Sequence, residues 1–324
     1  MVLGLGIIID SSFTKNRQLF YTIIQSSMWA SLVVLAAWMW SRYGWLKQID
    51  EFGPWGESLL EYAVYDALRA WFDHIVLIIR QEFEEAFVAK FTDMLAACPS
   101  YDLVYQDPDP QFDFVETVAR EKPWWTLHAT LCAVDVVNQP FAVVNADDRY
   151  GNTSYDLLYK ELTQIRHDEA FLVWYVLGNT LSAHGTVNRG VCDINTQKMT
   201  LNDVDERYAI GYVDDTIQDR DWNTFTGEEV VSMNFRGFHP DFFKQVMPLF
   251  EVFVRAHHED AKKEMVIPDG VDVLVKQWNL TCKVLKSVDN RQWVTNPDDK
   301  EKVQVAFDAM IKDGVYPQHL WKTA

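Results

Sequence analysis

Two groups of side chains in this sequence have the type and placement to handle phosphate. Arg42 and Lys47 follow the apolar run Leu32-Val33-Val34-Leu35-Ala36-Ala37, and Asp147 and Asp148 follow a second run, Phe141-Ala142-Val143-Val144. A cationic loop after a buried strand binds phosphate through backbone amides and point charges. A carboxylate at a strand end can hold a divalent cation that bridges phosphate oxygens. The same residues also admit plainer roles, the cations as solvated loop charges and the two aspartates as caps of a turn. Other chemistries are not encoded: the eight histidines show no HExxH spacing, and neither a GxSxG elbow nor a GxxxxGK[ST] loop occurs. Cys98, Cys132, Cys192 and Cys282 lie far apart, which excludes a CxxC metal knuckle or a dense disulfide framework and fits a reducing cytoplasm.

The elements that must position these groups alternate. After the first apolar run, helical spacing of Leu59, Leu60, Ala63, Val64, Ala67 and Leu68 predicts a helix over 57–70, and Ile75 to Ile79 reads as a strand buried on both faces. Helices over 81–97 and 126–137 and strands near Leu103 and over 141–144 continue the pattern. The second half reads as more strand-rich, with strands over 171–177, 186–194 and 230–238, then helices over 241–256 and 298–312. Residues 106–110 and 214–221 read as surface loops. The fold class this implies is α/β, a Rossmann-like and mostly parallel sheet flanked by helices, with ligands at the carboxyl ends of the strands.

The 324 residues suffice for about two domains or one large α/β unit with elaborations, and 48% hydrophobic with 23% charged residues is ordinary globular usage. A net charge of −18 disfavours nucleic acid and anionic membranes as partners, so an anionic substrate requires local cations. No run approaches the ~20 apolar residues of a membrane span. Residues 1–27 carry a short apolar run without the basic start of a signal peptide. They read as a leader, with a native start near Met28, ahead of a single domain over 28–324 with halves over 31–150 and 151–324.

The stretch Leu35-Ala36-Ala37-Trp38-Met39-Trp40-Ser41-Arg42, followed by Lys47, resembles the signature of the sugar-nucleotide pyrophosphorylases, the NTP-transferase family, except that both signature glycines are tryptophan. Further segments resemble the family in order: Trp124-Trp125-Thr126 its base-binding turn, Val143 to Gly151 its metal-binding strand end, the segment around Gly185 its sugar side, Val204-Asp205-Glu206-Arg207 its V-x-E segment, and Ser232-Met233-Asn234-Phe235 its asparagine-bearing strand. The resemblance implies a nucleotide-diphospho-sugar transferase (GT-A-like) fold and a Mg²⁺-dependent nucleotidyltransferase that joins UTP or dTTP to a sugar 1-phosphate with release of pyrophosphate. It places the nucleotide on Leu35, Ala36, Ala37, Trp38, Trp40, Ser41, Trp125 and Thr126, with Arg42, Lys47 and Asp147 as catalytic groups. Gly185, Glu206 and Asn234 then meet the sugar, which makes 31–150 the nucleotide-binding half and 151–324 the sugar-binding half. Asp147 is the metal ligand. Thr295 falls on the second ligand position, so Asn296 or Asp298 would have to serve instead, with Asp298 the carboxylate of the two. Outside the resemblance, Glu206 and Arg207 also read as a surface ion pair.

Tryptophan stands where the family has glycine at Trp38, Trp40, Trp45 and Trp125, and near turns or strand ends at Trp71, Trp174, Trp278 and Trp293. Trp29 and Trp55 extend the set. The chain has only 14 glycines against about 23 at average usage, and 13 tryptophans. One substitution class points to UGA codons that the source reads as glycine. Trp124 and Trp321 fall where the family tolerates tryptophan. The alternative is a diverged, catalytically inactive binding protein on the same fold.

Overall fold

Val33 and Leu35 project to one face of the first strand and Leu32 and Val34 to the other, and all four are buried. A strand apolar on both faces requires a helical layer on each side. The computed structural model describes residues 30–37, 51–107, 109–110, 112–120, 123–182, 185–277, 279–287, 289 and 300–321, and has this three-layer form. The leader, Trp38, Trp40, Ser41, Arg42, Lys47, Trp45, Trp278, Trp293 and Asp298 lie outside the described residues.

The parallel half comprises β1 (Ser31–Leu35), β2 (His74–Ile79), β3 (Ser100–Tyr105) and β4 (Phe141–Asn145), in the order β3-β2-β1-β4. The helix α1 (Leu59–Arg69) joins β1 to β2. Ser58 caps it through a capping box with Glu61, which satisfies two of its free amide ends. The helix expected over 81–97 is broken into a 3-10 turn (Gln81–Phe83), α2 (Glu84–Lys90) and α3 (Thr92–Ala97). The helix expected over 126–137 is shorter, α4 (Trp125–Leu131).

Beyond β4 come α5 (Asn152–Leu162), β5 (Glu169–Val176), β6 (Val187–Asn195), β7 (Thr200–Val213), β8 (Thr216–Gln218), β9 (Thr224–Phe225) and β10 (Val230–Phe238). The chain continues through α6 (Asp241–His257), α7 (Ile267–Lys276), β11 (Thr281–Lys286) and α8 (Lys300–Lys312). The loop expected over 214–221 contains β8, because Ile217 supplies a buried apolar position between polar neighbours.

A single sheet runs through both halves, but it is mixed and not mostly parallel. Among the described residues four strand pairs are parallel and seven antiparallel. The reason is β10, which inserts antiparallel between β4 and β5, together with the hairpins β6–β7, β7–β8 and β8–β9, while β11 returns parallel to β5. The helices α1 and α5 cover one face, and α4, α6 and α7 the other. A third cluster of Phe52, Leu59, Tyr62, Phe307, Tyr316 and Leu320 seats the end of the chain on α1. No described helix is long and apolar enough to cross a membrane.

Candidate active site

The carboxyl ends of β1 and β4 lie side by side, with Leu35 in register with Asn145, and the Ala146 amide donates to the Leu35 carbonyl at 3.1 Å. Leu35, Ala36 and Ala37 are buried at the point where the chain leaves the sheet for Arg42 and Lys47. The chain leaving β4 carries the half-buried Asp147 and Asp148. Asn145 Nδ2 donates to Asp148 Oδ2 at 2.9 Å, and the Tyr150 hydroxyl accepts from the Asn145 amide at 2.9 Å. That hydroxyl lies 3.3 Å from Asp148 Oδ2 and 3.0 Å from the Met233 carbonyl, one proton serving two acceptors. Burial, then the Asp148 charge, push the phenol well above its usual range, so Tyr150 stays neutral and ties the acidic loop to β10.

Asn234 follows Met233 directly. The β10–β5 register breaks between Ser232 and Arg236, and Asn234 takes φ 61°, a left-handed conformation that asparagine tolerates better than most residues. A bulge of this kind re-aims a side chain beside a site. Asn234 is thus half-buried at a bulge, and not an amide enclosed in an apolar strand.

Glu206 stands opposite Gly190, which in turn pairs with Ser232. Burial raises its carboxyl pKa, and Arg236 and Arg189 oppose the shift. Arg207 bonds Asp205, and Asp219 at 3.4 Å, so a Glu206–Arg207 ion pair is not what forms. Arg189 is a residue that sequence reasoning missed. Its guanidinium donates to Thr180 Oγ1 at 3.2 Å, the Thr180 carbonyl at 3.1 Å and the Asn188 carbonyl at 2.8 Å. Burial lowers its pKa while Asp148, Tyr150, Asp147 and Glu206 raise it, which sets this cation within electrostatic reach of the strand-end carboxylates and of Glu206. An arginine inside a strand motif carries no signal in sequence. Gly185 lies just before β6, its carbonyl close against Gly211.

Trp125 also belongs to this edge of the sheet. Gln106 continues from β3, its amide bonded to the Ile79 carbonyl at the end of β2, and its Nε2 donates to the Trp125 carbonyl at 3.0 Å. Trp125 has φ 73°, a conformation that costs a residue with a Cβ about 1–2 kcal/mol. Thr126 is buried and its hydroxyl accepts from the Ile267 amide at 3.1 Å, so that oxygen is used within the protein. Leu35 to Ala37, Trp125, Asp147 and Asn234 therefore gather at one sheet edge, with Glu206 on the adjoining hairpin.

Neither a family model nor a curated protein sequence matches the chain. Solved structures do share its fold. The inositol-1-phosphate CTP transferase of T. maritima aligns with a TM-score of 0.59 at 11% identity, over 88% of this chain and 98% of its own. A putative glucose-1-phosphate thymidylyltransferase from Bacillus anthracis, in complex with a sucrose, aligns with a TM-score of 0.56 at 13% identity, over 86% and 95%. A UDP-glucose pyrophosphorylase complexed with UDP-glucose aligns at 0.54 and 12%, over 87% and 99%. The chain shares the mixed α/β fold of these three structures.

Proposed function

We propose that this protein is a Mg²⁺-dependent cytoplasmic nucleotidyltransferase that couples UTP or dTTP to a sugar 1-phosphate and releases pyrophosphate, working with glycine at positions 38, 40, 45 and 125. The observation that carries the reading is the adjacency of the β1 end, which leads into Arg42 and Lys47, to the acidic end of β4. A sugar 1-phosphate oxygen is already ionised and needs no general base. It attacks the α-phosphorus, the bond from that phosphorus to the bridging oxygen breaks, and the electron pair leaves with pyrophosphate. Positioning and charge neutralisation supply the rate.

In this reading Arg42, Lys47 and the amides of the loop from Leu35 to Ser41 hold the triphosphate, Trp125 and Thr126 mark the base turn, and Gly185, Glu206 and Asn234 contact the sugar. No group of three potential ligands that could hold a metal exists among the described residues. Mg²⁺ does not require one, since it binds through one or two carboxylates plus substrate phosphates. Asp147, with Asp298 as a second ligand, would fit that pattern. The ion would neutralise charge on the phosphates.

Tryptophan at 38, 40 and 125 supports a second reading, a binding protein without catalysis on the same fold. Nucleotide affinity separates the two. Restoring Trp38, Trp40, Trp45 and Trp125 together to glycine should create measurable binding of UTP or dTTP with Mg²⁺ by calorimetry, whereas any single restoration should do little. A folded fourfold variant that binds no nucleoside triphosphate would reject the proposal.

A further inference from the structure

The seven described tryptophans separate into different environments. Trp124 is fully buried between Phe250 and Phe253 with the Arg120 guanidinium 3.8 Å from its ring, and Trp321 donates from Nε1 to Glu61 at 3.0 Å. These indoles have work in the fold. Trp71, Trp125 and Trp222 instead hold φ of 75°, 73° and 65°, and the residues Trp71 and Trp222 are 64% and 77% exposed.

Trp71 occupies the position just beyond the end of α1 that closes a Schellman motif. Its amide bonds the Leu68 carbonyl at 3.3 Å, and the next amide, of the buried Phe72, bonds the Ala67 carbonyl at 3.0 Å. That position calls for a left-handed residue, usually glycine. The same motif ends α8, where the Gly314 amide bonds Ile311 at 3.0 Å and the Val315 amide bonds Met310 at 2.8 Å. There the matching residue is a glycine, with φ 76°.

Trp222 sits in the hairpin between β8 and β9. Its amide bonds the Asp219 carbonyl at 3.1 Å, the Asp219 amide bonds the Asn223 carbonyl at 3.1 Å, and Asp219 Oδ1 accepts from the Asp221 and Asn223 amides. This is a three-residue loop whose last member is left-handed, again a glycine position.

We infer that residues 71 and 222 are glycine in the protein its source makes, and that the exchange of glycine for tryptophan runs through the whole chain instead of marking a disabled nucleotide site. Position matters here. The turn after Trp71 lies at the amino edge of the sheet, where the Asp73 amide bonds the Ala30 carbonyl, and Trp222 lies between the two outermost strands of the β7-β8-β9 ladder. Loss of catalysis relaxes selection at the site, but it does not place an exposed indole at the left-handed position of two remote turns that the fold still needs. The inference rests on turn geometry alone and holds whatever the substrate proves to be.

Peptide mass spectrometry of the protein purified from its own cells tests it directly. The tryptic peptide Ala70 to Arg80 and the one that begins at Asp221 should carry glycine at 71 and 222, with tryptophan retained at 124 and 321. Tryptophan at 71 and 222 would overturn the inference even if position 125 were glycine. In the chain as written, Trp71→Gly and Trp222→Gly should each raise Tm by about 2–4 °C, and Trp71→Ala and Trp222→Ala should not, since alanine keeps the Cβ. Equal effects of glycine and alanine would count against the left-handed requirement.

Discussion

Asp147 and Asp148 leave β4 side by side, both half-buried. Asp148 takes a hydrogen bond from Asn145 and lies against the Tyr150 hydroxyl, which ties it to β4 and β10, and Asp147 is the carboxylate proposed for the metal. In a glycine-restored enzyme Asp147→Asn should therefore cut turnover by about 10²–10³-fold, the scale of losing one charge-stabilising group, with Tm nearly unchanged. Near-normal turnover at saturating Mg²⁺ would remove Asp147 from the site. Gly190→Ala addresses the sugar side, since an added Cβ would lie 2.7 Å from Val204 Cγ1 and 2.9 Å from Glu206 Oε1. Overpacking of this kind costs about 1–3 kcal/mol, and displacement of Glu206 should raise KM for the sugar phosphate and leave nucleotide affinity intact. If both constants change together, Glu206 does not act on the sugar side alone. The candidate residues Asp147, Glu206 and Asn234, whose roles are proposals, were legible as residue types at spaced motifs. Arg189 was not, because only the hairpin of β6 and β7 brings it to the carboxylates. The bulge that gives Asn234 its φ also had no signature in an apolar run.

Elements buried on both faces were the readable ones. β1, β2 and β4 show up as continuous apolar runs because a helix layer covers each side, and α1 shows its apolar stripe and its Ser58 cap. The long β7 was missed because its exposed and half-buried positions carry mixed charge, and α5 because polar residues fill its first turn. Strand direction in the second half was not legible at all, since it depends on pairing between distant segments. α1 also carries a consequence for pH. Asp66 is fully buried, and desolvation pushes its pKa up to about 7 against the opposing charges of Arg149 and Arg69 and the Tyr316 hydroxyl, which donates at 2.7 Å; Asp289 adds to the rise. The folded state thus holds a proton that the unfolded chain releases, so this group's contribution is full below about pH 4 and is lost as pH rises through about 7. Asp66→Asn should flatten the fall in Tm between pH 5 and 8 relative to the parent, as thermal melts across that range would show. An unchanged slope would place the titration elsewhere.

At the scale of the molecule, one mixed sheet would carry both halves of the proposed site. Its parallel part ends at the β1 and β4 edge, and its antiparallel part delivers Asn234 and Glu206 to the same side. The Tyr150 hydroxyl joins the two parts through Asn145 and Met233. Tyr150→Phe should therefore loosen this junction and lower stability by about 1 kcal/mol or more, since the Asn145 amide loses its partner; a Tm equal to the parent's would show the hydroxyl to be dispensable. The most direct test of the central claim is pyrophosphate release by the protein with glycine at 38, 40, 45 and 125, assayed with Mg²⁺ over pairs of nucleoside triphosphate and sugar 1-phosphate. Release that requires both substrates, with UTP or dTTP among the active nucleotides, is the predicted result. A folded, nucleotide-binding protein that releases no pyrophosphate with any pair would contradict it.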